Sequence, residues 1–70
     1  GIATQVLQAF SEYAFEQFDL LRLHAYVFDG NAASVRVLEK AGYVYEGTLT
    51  ASITKDDAVI DELVYALVRQ

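Results

Sequence analysis

At 70 residues, with a net charge of −5 from ten acidic and five basic side chains and no cysteine, the chain makes at most one small domain and holds no disulfide or thiolate–metal framework. Arg22, Arg36, Lys40, Lys55 and Arg69 are scattered rather than clustered, which disfavours nucleic-acid binding, and no apolar run approaches the roughly 18 residues of a membrane span or forms an export leader, so a cytoplasmic protein is expected. An apolar share of 54% argues against disorder and implies packing against something further, a partner chain or another part of the same fold.

Residues 2 to 18 read as an amphipathic helix. Ile2, Val6, Phe10, Tyr13 and Ala14 recur at helical spacing with Ala3, Leu7 and Phe18, and Gln5, Gln8, Glu12 and Glu16 fall mostly on the other side. The apolar stripe, with Phe10, Tyr13 and Phe18, is expected to face the core; Phe15 lies off it and either widens that face or joins a partner surface. Asp19 begins the exit turn.

Leu21 to Phe28 alternates as a strand. Leu21, Leu23, Ala25 and Val27 form one face, and Arg22, His24, Tyr26 and Phe28 the other. The second face is aromatic enough to predict cover on both sides, as in an interior strand. Asp29-Gly30 ends it.

Asn31 is an N-cap candidate with Ser34 at the third helical position, and Val35, Leu38 and Ala41 form an inward stripe. Gly42 stands at the C′ position, where a left-handed residue ends a helix. Tyr43 to about Ile53 predicts a long strand with a bulge or close approach at Gly47. Lys55-Asp56-Asp57-Ala58 forms a turn, and Val59 to Val68 returns as the last strand. The order is helix, strand, helix, strand, strand, an α/β fold with a mixed sheet.

Two helix starts carry the chemistry. Unpaired N–H groups and the helix dipole attract phosphate at Gly1-Ile2-Ala3-Thr4, where Gly1 permits close approach and Thr4 offers a hydroxyl; an ordinary capped helix begins the same way. Asn31 and Ser34 either cap the second helix or present an amide and a hydroxyl to a ligand. His24, the single histidine, lacks ligand-spaced partners and reads as a sheet-face residue rather than a base, and no metal is expected. Asp56 and Asp57 fit a solvated turn better than a cation site.

Together, Gly1-Ile2-Ala3-Thr4, the run from Asn31-Ala32-Ala33-Ser34 to Lys40-Ala41-Gly42-Tyr43, and Tyr45-Glu46-Gly47-Thr48-Leu49 through Asp61-Glu62-Leu63-Val64-Tyr65-Ala66-Leu67 resemble the GNAT superfamily of N-acetyltransferases. The resemblance covers essentially the whole chain and is strongest to the branch that acetylates ribosomal-protein N-termini. It implies the C-terminal half of an acyl-CoA N-acyltransferase fold, with the last strand inserted between the two before it. Gly1 matches the final glycine of the family's phosphate loop, whose earlier residues and feeding strand have no counterpart here.

By that resemblance, Gly1, Ile2, Ala3 and Thr4 meet the pyrophosphate of acetyl-CoA, Asn31 contacts its pantetheine arm, and Ser34 is the candidate catalytic proton donor to the thiolate. Asp61 matches a recurrent acidic position and, with Tyr65, is placed on the substrate side; Tyr65 alternatively packs. Many members carry a tyrosine donor where this chain has Leu38, which is expected to be core. The family turn often has glycine where Asp57 stands, a modest change of turn geometry.

The resemblance implies an amine acceptor, either a protein N-terminus or a small molecule. It also implies a companion, either the upstream half-domain or a second copy paired through the open edge of the first strand. Alone, the 70 residues are expected to turn over little or no acetyl-CoA. The alternative is a noncatalytic assembly module that keeps the half-fold and some CoA binding.

Overall fold

The computed structural model describes residues 1–69, leaving aside the side chains of Ser52, Ile53 and Lys55. Its elements are α1 (Ile2–Phe18), β1 (Arg22–Phe28), α2 (Ala32–Lys40), β2 (Val44–Lys55) and β3 (Ala58–Val68). The order is the one the periodicities predict. No helix among the described residues is long and apolar enough to cross a membrane.

The sheet runs β1-β3-β2, with β3 antiparallel to both neighbours. β1 and β2 are therefore parallel to each other, joined by α2, with the last strand inserted between them. Among the described residues β1 is an edge strand, whereas its pattern predicts an interior one.

Local chemistry sets the boundaries. Asp19 adopts a left-handed conformation (φ 49°) and stops α1. The Asn31 side chain accepts a 3.2 Å hydrogen bond from the Ser34 amide and starts α2. Gly42, at φ 97°, ends it: its N–H donates to the Glu39 carbonyl (3.1 Å) and that of Tyr43 to the Leu38 carbonyl (2.9 Å). These two bonds make a Schellman cap, which requires the left-handed residue that glycine supplies without a Cβ clash. Asp56 and Asp57 both take positive φ (50° and 63°), as a two-residue type I′ hairpin turn requires. The expected bulge appears at Gly47, where the pairing slips between Tyr45 and Gly47, and a second irregularity lies between Leu49 and Ile53.

Both helices pack on one face of the sheet. Val27, Leu38, Ala41, Tyr43 and Tyr65 form the buried centre, flanked by Leu7, Leu23, Ala25, Val35, Leu63 and Leu67. Buried Ser11 ties α1 to this core: its hydroxyl donates to the Leu7 carbonyl (2.7 Å) and shares a 2.8 Å hydrogen bond with the Tyr43 hydroxyl.

Two packing expectations are corrected. On α1 the docked seam is Leu7, Ser11, Ala14 and part of Phe15, whereas Ile2, Val6, Phe10, Tyr13 and Phe18 are exposed. Small side chains at 11 and 14 let the helix backbone approach, and the bulkier stripe is turned outward. On β1 the face carrying Arg22, His24, Tyr26 and Phe28 is open rather than covered. There Glu46, projecting from the Gly47 bulge, forms an ion pair with Arg22 and lies 3.7 Å from His24 Nε2.

Candidate active site

The α1 N-terminus has no side-chain cap and no acidic residue in its first turn. The first bond of the helix runs from the Gln5 amide to the Gly1 carbonyl, so the amides of Ile2, Ala3 and Thr4 precede the helical ladder. Such an end attracts anions through its N–H groups and dipole.

Beneath it lies a cleft of about 420 Å³, walled by Ala3 and Leu7 of α1, Ala25 to Val27 of β1, and Ala33, Ser34, Val37 and Leu38 of α2. Ser34 brings the one side-chain hydroxyl of an otherwise apolar lining, since the Tyr26 side chain lies on the other face of β1. A mainly apolar slot of this size with few convergent polar groups has the character of a small-molecule site. The structure thus brings Ala3 and Ser34, about 30 residues apart in sequence, to one cleft.

The other sequence-assigned residues fall around it. Gly1 and Ile2 are exposed at the helix end and Thr4 is half-buried. Asn31 commits its side-chain oxygen to the Ser34 amide, which leaves its NH2 group as a donor. Capping and ligand contact are therefore compatible in one side chain. Asp61 stands outside the cleft, its carboxylate accepting the Ala51 amide at 2.7 Å. Tyr65 is buried at 4% exposure, its ring edge-to-face with Tyr45 at 5.7 Å. Leu38 is core, as expected, and also forms cleft wall.

Sequence reasoning missed the apolar walls, Ala25, Val27, Ala33 and Val37. Their signal was present in the alternation of β1 and the small residues of the first turn of α2, but only the fold shows that these line one slot. A larger hollow of about 590 Å³ lies on the far side of α1, beside Glu12, Glu16 and Arg69, and touches none of the assigned residues. Its size does not outweigh the convergence of two helix starts. His24 lies on the opposite sheet face, and no group of three metal-ligating side chains occurs among the described residues.

Burial, then the Glu39 carboxylate and neighbouring Tyr45, push the Tyr65 phenol above its ordinary value. The fold therefore favours the neutral phenol. That contribution is complete below the ordinary tyrosine pKa of about 10 and is lost as pH rises through the folded value. Stability is expected to decline above about pH 10, and less steeply in Tyr65→Phe, in denaturant melts across the alkaline range. Equal slopes for the two proteins would assign the decline to other groups.

A family model described as an acetyltransferase (GNAT) domain matches residues 1–44, more than half of the chain and the segment that carries the cleft. The chain belongs to the GNAT acetyltransferase family. The uncharacterized N-acetyltransferase YoaA of Bacillus subtilis (strain 168) is 35% identical over 69 residues, which are 99% of this chain and 39% of YoaA. A GNAT-family acetyltransferase structure from Bacillus anthracis is 34% identical with a TM-score of 0.88, over 97% of this chain and 41% of that one. The ribosomal-protein-S5-alanine acetyltransferase structure from Vibrio fischeri shares the fold at 24% identity and a TM-score of 0.88, over 97% of this chain and 37% of that one. This GNAT chain spans less than half the length of the curated relatives it matches.

Proposed function

We propose that the chain forms the acetyl-CoA side of an N-acetyltransferase whose acceptor is a primary amine, with the N-terminus of a ribosomal protein as the leading candidate. The carrying observation is the single cleft shared by the α1 N-terminus and Ser34. In this reading the amides of Ile2, Ala3 and Thr4 hold the pyrophosphate, and Gly1 allows the backbone to approach it. The apolar walls take the pantetheine arm, and the Asn31 NH2 group donates to one of its carbonyls. Acetyl-CoA supplies an acetyl group on a thioester. The acceptor's ammonium releases one proton to solvent, its nitrogen bonds to the acetyl carbon, the carbon–sulfur bond breaks, and the nitrogen releases a second proton to solvent as the amide forms. Ser34 donates its hydroxyl proton to the departing sulfur and regains one from solvent.

The N-terminal acceptor rests on the sequence pattern of residues 31–67 and on the fold shared with the S5-alanine enzyme; a polyamine, amino acid or other small amine is the competing class. The exposed stripe of α1 and the open edge of β1 are the surfaces on which a companion half-domain, or a second copy of the chain, completes the enzyme. The same stripe favours a second reading, an assembly module without catalysis.

Titrating CoA into the purified chain tests the cofactor cleft, and acetyl transfer once the companion half is supplied separates the two readings. Saturable binding is expected, with little turnover of acetyl-CoA by the chain alone. Ser34→Ala should leave CoA affinity within about threefold yet slow acetyl transfer in the assembled enzyme by about 10²-fold. Equal losses in binding and transfer would make Ser34 part of the cofactor grip alone. Absence of CoA binding by the unmodified chain would leave the assembly reading.

A further inference from the structure

The second irregularity of β2 is held from across the ladder. Leu49 pairs with Glu62 and Ile53 with Ile60, so Thr50, Ala51 and Ser52 all face the single residue Asp61. Ala51 sits at φ 55°, a left-handed conformation disfavoured by any residue with a Cβ. Its N–H has left the strand ladder, and the Asp61 carboxylate takes it at 2.7 Å. On its other side, the Asp61 carbonyl accepts the Asp29 amide at 2.9 Å, where β1 turns toward α2. Asp29 leads directly through Gly30 to Asn31, the residue that caps α2 and fixes the Ser34 amide. One residue thus ties the β2 bulge to the turn that presents the thiol-side groups.

We propose that Asp61 is a positioning residue: its carboxylate locks the Thr50-Ala51-Ser52 bulge, which forms the acceptor-side wall beside the α2 N-terminus. What the wall serves rests on the acetyl-transfer reading above. The acceptor must reach an acetyl group held near Ser34, and the bulge stands at that end of the sheet. Two strand spacings, about 10 Å, separate it from the β1 exit. Bulges beside active sites commonly aim local backbone in this way. Asp61 therefore acts through Ala51 rather than by touching the amine.

Two substitutions separate positioning from direct contact. Asp61→Asn keeps an oxygen that accepts the Ala51 amide and removes the charge; Asp61→Ala removes both. Asp61→Ala is expected to speed hydrogen exchange at the Ala51 amide by about tenfold, whereas Asp61→Asn stays within about threefold of the parent. In the assembled enzyme, Asp61→Ala should raise the amine KM several-fold with CoA affinity unchanged, and Asp61→Asn should restore it. Adding Ala51→Gly to Asp61→Ala should recover part of the loss, because glycine adopts the bulge conformation without a clamp. An Asp61→Asn variant as impaired toward amine as Asp61→Ala, with normal Ala51 exchange, would make the carboxylate a direct amine contact and overturn the proposal. Unchanged Ala51 exchange in Asp61→Ala would overturn it as well. If the parent binds no CoA, the acetyl-transfer reading fails, and the exchange comparison still decides the clamp.

Discussion

Leu38→Ala is expected to lower the melting temperature by more than about 10 °C and to leave a substantial unfolded fraction near 37 °C. Leu38 is 6% exposed at the centre of the core, between Val27, Ala41, Tyr43 and Tyr65. Truncating a buried leucine removes its transfer energy and leaves a cavity, together about 2–5 kcal/mol. A 70-residue domain has about 4–10 kcal/mol in total, so one such loss is a large share of it. The position also holds the end of α2, since the Leu38 carbonyl receives the Tyr43 amide of the Schellman cap. The substitution keeps that carbonyl but takes away the packing that orients it. Thermal melts followed by circular dichroism check the expectation; a shift below about 4 °C would mean that neighbouring side chains collapse into the space. The same side chain lines the cleft, so CoA affinity should weaken in parallel.

The second large effect separates binding from stability. Ala3→Asp places a carboxylate in the first turn of α1, which has no acidic residue and no side-chain cap. Negative charge there opposes the helix dipole favourably and should stabilise the fold by about 0.3–1 kcal/mol. In the acetyl-CoA reading proposed above, the same charge confronts the CoA pyrophosphate where Ala3 lines the cleft. At a partly desolvated site the repulsion, with displacement of the amide contacts, is expected to weaken CoA binding by on the order of 100-fold. A calorimetric titration and a melt on one sample read both signs. Weaker binding with a raised melting temperature fits the anion site, and unchanged CoA affinity would remove α1 from it. Added salt should narrow the difference, because screening acts on the charge term.

The order of elements was legible because period and punctuation agree at nearly every boundary, whereas the central place of β3 came from the family resemblance alone. Asn31 and Gly42 bracket α2 by cap chemistry that needs no tertiary information, and the Gly47 bulge follows from one small residue in a long strand. The packing of α1 was not legible. Its sequence is apolar around much of the circumference, and a period of 3.6 does not say which arc docks. Weight of side chain favours Ile2, Val6, Phe10 and Tyr13, whereas the structure seats the Leu7, Ser11 and Ala14 arc. A serine with a buried hydroxyl satisfied by Tyr43 contradicts the hydrophobic rule, and its partner is 32 residues away in sequence. At the cleft, residue types named the helix starts but not the walls between them. Asp61 was singled out only by the family resemblance, while its bond to Ala51 depends on a slip in pairing that alternation does not register.

The strand order also has a consequence for synthesis. β1 and β2 are not bonded to each other, since β3 lies between them in the sheet and after both in the chain. As the polypeptide emerges from a ribosome, helices can form early, whereas the ladders that join β1 and β2 to β3 wait for residues 58–68. A premature stop before β3 would therefore remove both ladders, β1–β3 and β2–β3, rather than one strand's share of the pairing.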